Sequence, residues 1–178
     1  MRLFIAINFD ERTIAALVRQ QRQVQAIAQK GNYSRSDNLH LTLAFLGETP
    51  IEDVGLLQTI VDSVSDHAFP ITLDTLGYFA RNNSDIWWVG IAKNPTLERL
   101  QHALVRHLRI HGFSVDKRPF LPHITIGREI RISKTAQRTH IAGPITPIHF
   151  TAQRISLMQS VRIDGVLVYR ELVGKNLT

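Results

Sequence analysis

The sequence of 178 residues contains no cysteine. This absence excludes disulfide bonds, thiolate metal sites and cysteine nucleophiles, and it makes a cytoplasmic location the default expectation. The chain also lacks the roughly 18 to 20 uninterrupted apolar residues that a bilayer span requires. Residues 1–12 hold a short apolar run with no small-residue cleavage site after it, which predicts a buried first strand and not a signal peptide. We therefore expect no membrane partner.

Acidic residues are fewer than basic ones: the chain has 15 Asp and Glu residues and 21 Lys and Arg residues, for a formal net charge of +6. The cationic side chains are dispersed along the chain and form no tail or block. This balance favours a polyanionic partner, with nucleic acid as the first candidate. The apolar fraction of 44% is ordinary for a soluble globular protein, and the length suits one domain or two small lobes that share a core.

Two segments of the chain share a pattern, His-x-Thr within an alternating apolar run. The first is "NLHLTLAFLG" with His40 and Thr42, and the second is "PHITIGR" with His123 and Thr125. The two histidines are 83 positions apart (123 minus 40). The same offset brings the apolar run 3–9 opposite the run 86–92. Each half of the chain therefore predicts a strand, a helix and a His-x-Thr strand.

Helical periodicity lies between the strand and the histidine of each half. In the first half Asp10 is the predicted N-cap, and in the second half Asn94 is the cap with Pro95 at the first helical position. The apolar positions that define these two helices are Ile14, Leu17, Val18, Val24, Ile27 and Ala28, and then Leu97, Leu100, Leu104 and Leu108.

The segments after the two motifs predict one more helix and several strands. Thr49 and Glu52 have the spacing of a capping box, and an apolar stripe from Val54 to Val64 follows. Strands are predicted at 71–79, near 148–160 and at 165–172, and the last two are joined by a turn at Asp164-Gly165.

These elements predict an α+β protein with two similar lobes, each a small antiparallel sheet backed by helices. We expect residues 1–178 to form a single domain in which each lobe contributes one His-x-Thr strand, at 39–46 and at 122–128. If an approximate two-fold axis relates the lobes, the polar faces of both strands line one central cleft. Of the adjacent pair Trp87 and Trp88, we expect one side chain in the core and the other at a groove.

Alternation places His40 with Thr42, and His123 with Thr125, on the polar faces of their strands. Two imidazoles can divide general acid and general base work near neutral pH. Two threonine hydroxyls can donate hydrogen bonds to the non-bridging oxygens of a phosphate. Arg128 can add a charged phosphate contact if the strand bends near Gly127, because strict alternation points it away from the motif.

Two other interpretations compete with such a site. A single His-x-Thr on a polar strand face is commonly incidental, and the matched pair makes that interpretation less attractive. The other is a metal site. Neither motif has a carboxylate at ligand spacing, and threonine is a poor zinc ligand, so we expect no metal.

The two motifs resemble those of the 2H phosphoesterase superfamily, and "NLHLTLAFLGE" with "PFLPHITIGR" is similar to the RNA 2′,3′-cyclic phosphodiesterases, first described as bacterial 2′-5′ RNA ligases. The resemblance runs from the opening "RLFIAI" to the final "GVLVYREL". It implies a bilobal fold with the motifs facing each other across a cleft. It further implies that His40 is the proton donor and His123 the proton acceptor, with Thr42, Thr125 and Arg128 on the phosphate.

The activity implied by this resemblance is metal-independent hydrolysis of RNA 2′,3′-cyclic phosphate ends to 2′-phosphomonoesters, without a cofactor. The resemblance also implies ATP-independent, reversible 2′-5′ RNA ligation at the same site, with an RNA 5′-hydroxyl in place of water. The implied partner is RNA with cyclic phosphate ends, tRNA fragments included, bound by a monomer. Two alternatives stay open: a non-catalytic RNA-end binder, or the same chemistry on ADP-ribose cyclic phosphate, 2′-5′ oligoadenylate or a U-rich tail. The cleft-lining loops decide between these substrates, and the sequence does not reveal them.

Overall fold

A computed structural model describes residues 1–64, 67–133 and 137–178 of the chain. Its α-helices are α1 (Glu11–Ile27), α2 (Val54–Asp62) and α3 (Pro95–Ile110). Its strands are β1 (Arg2–Asn8), β2 (Ala28–Tyr33), β3 (His40–Glu48), β4 (Phe69–Ala80), β5 (Asp85–Ile91), β6 (His123–Ile132), β7 (Gly143–Ala152), β8 (Arg154–Ile163) and β9 (Val166–Asn176). None of the helices in these ranges is long and apolar enough to cross a membrane.

Helix α1 and helix α3 begin where the sequence predicts. The Asp10 carboxylate accepts a hydrogen bond from the backbone N–H of Thr13 at 2.7 Å, and the Asn94 side chain accepts one from Leu97 at 3.1 Å. Pro95 occupies the first position of α3, where its missing N–H has no helical partner to lose. Both predicted caps are confirmed.

The capping box predicted at Thr49 is wrong. A 3₁₀ turn at 51–53 precedes α2, and Thr49 is buried at the end of β3 with its hydroxyl donating to the Gly47 carbonyl. The backbone N–H of Thr49 also donates to the carbonyl of Met1 at 2.7 Å. Thr49 therefore extends the pairing of β3 with β1, and it is not available to cap the helix.

Two strand assignments differ from the prediction. Ala28 ends α1 and begins β2, an edge strand that carries no clear alternation in "AQKGNY" and was not predicted. The single strand predicted at 148–160 is two strands, β7 and β8, which are separated at Gln153. Pro144 and Pro147 are tolerated in β7 because it lies at a sheet edge.

The last hairpin of the chain turns where the sequence predicts. Asp164 has a φ of 50° and Gly165 a φ of 80°. A two-residue turn with two positive φ values matches the right-handed twist of the strands on either side. It joins β8 to β9 at the predicted position.

The nine strands in the described part of the chain form two antiparallel sheets. Sheet A has the order β3-β1-β8-β9, and sheet B has the order β2-β6-β5-β4-β7. The predicted α+β class is confirmed. The two sheets do not correspond to the two halves of the chain, however. Strand β4 of the first half pairs with β5 of the second half, and β8 of the second half pairs with β1 of the first half. Each sheet therefore contains strands from both halves. The main hydrophobic core joins residues of both sheets and of all three helices, and a second, small cluster consists of Phe4, Ala6 and Met158.

The helices cross over in the same way. Helix α1, from the first half, packs on β5, β6 and β7 of sheet B. Helix α3, from the second half, packs on β3 of sheet A, and α2 packs on β8 and β9. Each motif strand is thus supported by a helix from the opposite half of the chain.

Candidate functional site

The two His-x-Thr strands have the predicted alternation of faces. On β3 the flanking residues Leu39, Leu41 and Leu43 are at most 3% exposed, and on β6 Ile124 and Ile126 are fully buried. His40, Thr42, His123 and Thr125 lie on the opposite, half-buried faces. Burial of the apolar face fixes the register, since a slip by one residue would bury the histidines and expose the leucines. Strands β3 and β6 lie next to each other where the two sheets meet.

Each motif strand has a β-bulge immediately after its threonine. Leu43 is the extra residue of β3 relative to β1, and Ile126 is the extra residue of β6 relative to β5. Gln101 of α3 donates a hydrogen bond to the Leu43 carbonyl at 3.2 Å. Gln21 of α1 donates to the carbonyls of Ile126 and Ser34, both at 2.8 Å. A buried glutamine from the opposite half thus satisfies the carbonyl at each bulge.

Both histidine rings are oriented by a backbone carbonyl two residues earlier. His40 Nδ1 lies 2.7 Å from the carbonyl oxygen of Asn38, and His123 Nδ1 lies 2.7 Å from that of Leu121. A carbonyl oxygen only accepts, so Nδ1 holds the proton of the neutral ring, and Nε2 is the atom left for chemistry. His40 Nε2 is 2.9 Å from the Thr42 hydroxyl oxygen.

Asn38 also joins the first motif to strand β9. Its side-chain amide donates to the Leu167 carbonyl at 2.9 Å and accepts from the backbone N–H of Tyr169 at 3.1 Å. The same residue therefore holds the His40 ring through its carbonyl and the edge of β9 through its side chain. The sequence did not reveal this role, because the partners are about 130 positions away (|i−j| of 129 and 131).

Aromatic rings surround both imidazoles. The His40 ring centroid lies 4.8 Å from that of Phe4 and 5.1 Å from that of Tyr169. The His123 ring centroid lies 5.4 Å from that of Phe79 and 6.2 Å from that of Trp88. These rings exclude water from one side of each imidazole, which disfavours its charged form.

The adjacent tryptophans separate as predicted. Trp87 is fully buried in the core, while Trp88 is half-buried on the face that holds His123. A Cβ atom added to Gly77 or Gly90 would overlap the Trp88 indole, so these two glycines let the indole lie against the sheet. Trp88 thereby forms part of the floor beside His123.

Strand β6 bulges again just beyond Gly127, next to Arg128. Between Gly127 and Ile130 the strand has an extra residue relative to β5, and Glu129 has a φ of 53°. The bend expected near Gly127 therefore lies one to two residues later. Gly127 itself has a packing role, because a Cβ there would lie 2.9 Å from Ile130 Cδ1 and 3.2 Å from the Tyr33 ring.

The pKa values of both imidazoles are lowered, and the charge of one guanidinium contributes to both shifts. Burial lowers the pKa of His40 from its ordinary value, the bond to Asn38 opposes this, and the charges of Arg128 and His123 lower the pKa further. Burial also lowers the pKa of His123, the bond to Leu121 opposes it, and Arg128 lowers it further. Both rings are therefore predominantly neutral at pH 7. The Arg128 charge thus acts on both imidazoles.

Comparisons with a family model and with curated relatives point to the same family. A sequence model of the 2′-5′ RNA ligase superfamily matches residues 12–164. The RNA 2′,3′-cyclic phosphodiesterase of Escherichia coli (strain K12) is 35% identical over 133 residues, 72% of this chain and 72% of the relative. That of Thermotoga maritima is 33% identical over 138 residues, 72% of this chain and 70% of the relative.

Solved structures agree over nearly the full chain. The crystal structure of E. coli LigT in complex with 3′-AMP superimposes with a TM-score of 0.83 at 27% identity, covering 99% of this chain and 98% of LigT. The apo form of LigT gives a TM-score of 0.82 at 29% identity, covering 99% and 97%. Sequence and structure thus agree on the family, and the chain belongs to the 2′-5′ RNA ligase superfamily.

Proposed function

We propose that this protein is a metal-independent RNA 2′,3′-cyclic phosphodiesterase in which residues 1–178 act as a single domain. The observation that carries the proposal is the shared site of His40 and His123. Each imidazole has Nδ1 on a carbonyl oxygen and presents Nε2, and the charge of Arg128 acts on both. The names of the relatives in E. coli and T. maritima support the same activity.

In the proposed reaction His123 is the general base and His40 the general acid. His123 Nε2 takes a proton from water as the water oxygen attacks phosphorus in line with the ribose 3′ oxygen. The P–O3′ bond breaks, and the protonated His40 donates the Nε2 proton to the departing oxygen. The product carries a 2′-phosphate, and the next cycle begins once the proton has moved from His123 to His40 through solvent.

Charge on the pentacoordinate phosphorus is stabilised by donors on both strands. The hydroxyls of Thr42 and Thr125 donate to the two non-bridging oxygens, and the Arg128 guanidinium adds a charge-assisted contact. The Thr42 hydroxyl is already within 2.9 Å of His40 Nε2, so one group can hold the phosphate next to the proton donor.

Ligation uses the same atoms with a different nucleophile. An RNA 5′-hydroxyl replaces water, attacks the cyclic phosphate, displaces the 3′ oxygen and forms a 2′-5′ linkage without ATP. Water is far more abundant than RNA ends, so hydrolysis is the dominant outcome. RNA fragments that end in a 2′,3′-cyclic phosphate, tRNA fragments among them, are the proposed substrates of a monomeric enzyme.

Product analysis on adenosine 2′,3′-cyclic phosphate tests this function. We expect conversion to the 2′-monophosphate, resolved from the 3′ isomer by ³¹P NMR, at a rate that EDTA does not change. Absence of turnover would contradict the enzyme and favour a non-catalytic RNA-end binder. Loss of activity in EDTA would instead support a metal site.

A further inference from the structure

Phe45 exposes an aromatic ring beside the proposed reaction site. It is 44% exposed, although most aromatic rings of the chain are more deeply buried. Phe45 pairs directly with Phe4 on β1, and paired residues project to the same face of a sheet. The ring of Phe4 in turn contacts the His40 ring at 4.8 Å. Phe45 therefore lies on the face of sheet A that carries His40.

Arg2 covers this ring with a positive charge. Its guanidinium carbon lies 5.2 Å from the centroid of the Phe45 ring, a cation–π distance. The described residues place no carboxylate in an ion pair with Arg2. Glu48 is paired with Arg2 across the strands, but its carboxylate lies 3.7 Å from the amino group of Met1. The Arg2 charge is thus held in place and left open to an anion.

The position of Phe45 corresponds to that of Arg128 in the other sheet. Each residue follows the threonine of its motif by three positions, and the two are separated by the same offset of 83 (128 minus 45). Sheet B thus carries an arginine at this position, and sheet A carries a phenyl ring with an arginine from the neighbouring strand. Both arrangements place one guanidinium beyond a His-x-Thr motif.

Strand β1 connects the proposed phosphate site to Arg2. Thr42, a proposed phosphate contact, pairs with Ala6, which lies four residues or roughly 13 Å from Arg2 along the strand. The Arg2 guanidinium carbon lies 5.2 Å from the centroid of the Phe45 ring, which stands between Arg2 and Thr42 on the same face. The guanidinium is therefore positioned for an RNA strand that extends from the cyclic phosphate along this face.

We propose that Arg2 and Phe45 form a subsite for the nucleotide that precedes the cyclic phosphate. The guanidinium of Arg2 contacts the phosphodiester that joins this nucleotide to the terminal one, and the exposed part of the Phe45 ring stacks on a base. The subsite rests on the proposed function and narrows its substrate class to an RNA strand instead of a mononucleotide.

Two substrates with the same terminal nucleoside test the subsite. We compare kcat/KM for adenosine 2′,3′-cyclic phosphate with that for adenylyl-(3′→5′)-adenosine 2′,3′-cyclic phosphate, and we expect the dinucleotide to be favoured about tenfold in the wild-type protein. Arg2→Gln and Phe45→Ala should each bring this ratio close to one, and Phe45→Tyr, which keeps the ring, should retain it. Arg99→Gln is the matched control, because Arg99 is exposed on α3 and the same charge is removed away from the subsite.

Two results would overturn the subsite: a wild-type ratio near one, or folded Arg2→Gln and Phe45→Ala variants that keep the wild-type ratio. Circular dichroism checks folding, and Phe45→Leu replaces Phe45→Ala if the latter unfolds. If the wild-type protein hydrolyses neither substrate, the proposed function fails. Anisotropy of a 5′-labelled diadenylate then tests the subsite alone, with about tenfold weaker binding expected in both variants and unchanged binding as the refuting result.

Discussion

The two motif strands share one backbone frame and differ in the side chains around it. Both have a bulge after the threonine, a carbonyl on Nδ1 of the histidine and a glutamine from the opposite half. At the position three residues after the threonine, however, β6 carries Arg128 and β3 carries Phe45. The frame therefore sets the orientation of two similar imidazoles, while the flanking side chains give each sheet its own electrostatics.

The residues whose carbonyls contact the two histidine rings also differ in their own contacts. Asn38, behind His40, is tied to β9 through its side chain, whereas Leu121, behind His123, is an exposed residue that precedes β6. The charges of Arg128 and His123 both lower the pKa of His40, whereas only the charge of Arg128 lowers that of His123. The two imidazoles therefore lie in different electrostatic surroundings.

The largest expected effect is loss of either imidazole. We expect His40→Ala and His123→Ala each to lower kcat for a 2′,3′-cyclic dinucleotide by roughly 10²–10⁴-fold, because general acid and general base steps contribute on that scale. Both side chains lie on the half-buried polar face, so the thermal unfolding midpoint should change little. Near-normal turnover in either folded variant would show that the two motifs are not both catalytic.

Removal of Arg128 should affect both halves of the site at once. Arg128→Gln removes a charge that lowers the pKa of both imidazoles, so the pKa values of His40 and His123 should both rise toward about 6.5. The rate should fall about 10²-fold through loss of a transition-state contact. NMR titration of the imidazole protons measures the pKa values, with Arg131→Gln, an exposed residue of the same strand, as the control. Unchanged titration in Arg128→Gln would place the guanidinium away from the site.

The two buried glutamines test the shared frame through stability. Gln101→Ala leaves the carbonyl at the Leu43 bulge unsatisfied, and we expect a loss of about 1–2 kcal/mol in the free energy of unfolding. Gln21→Ala removes the donor to the Ser34 carbonyl, whereas the Ile126 carbonyl keeps the hydrogen bond from the Ser34 N–H, so we expect a loss of about 1–2 kcal/mol here as well. Urea unfolding measures both, and Gln23→Ala on the exposed face of α1 is the control. Equal free energies of unfolding in all three variants would show that Gln21 and Gln101 do not stabilise the two bulges.

The pH dependence of kcat/KM gives the smallest effect. The proposed reaction needs one protonated and one neutral imidazole, and the pKa values of both are lowered from about 6.5. The active combination is therefore most populated below pH 6.5, and kcat/KM should decline through neutral pH as the remaining proton is lost. A steady-state profile from pH 4.5 to 9 measures this. A plateau that continues above pH 8 would contradict two histidines as the acid–base pair.

The two faces of each motif strand and the starts of two helices were predictable from local patterns. Alternation alone identified Leu39, Leu41, Ile124 and Ile126 as buried, because burial of one strand face repeats every second residue. Asp10 and Asn94 were predictable as caps, since a cap bonds to a backbone N–H only three residues away. Features that depend on neighbours in the chain were therefore visible in the sequence.

Features that depend on distant pairing were not visible. The bulges at Leu43 and Ile126 exist only relative to β1 and β5, and the exchange of β4 and β8 between the sheets leaves no local signal. Tyr169 reaches His40 only because β9 pairs beside β8. Alternation along β1 could have placed Phe4 on the face opposite Leu3 and Ile5. Its contact with His40 could not be predicted, because that contact depends on the register of β1 with β3.

A substrate whose leaving group needs no proton tests the central claim most directly. In a 2′,3′-cyclic phosphate with sulfur at the 3′ position, the P–S bond breaks to give a thiolate, which is stable near neutral pH without a general acid. We predict that this substrate restores turnover in His40→Ala nearly to the wild-type rate on the same compound and leaves His123→Ala inactive. Restoration in His123→Ala instead, or in neither variant, would contradict the assignment of acid and base to the two sheets.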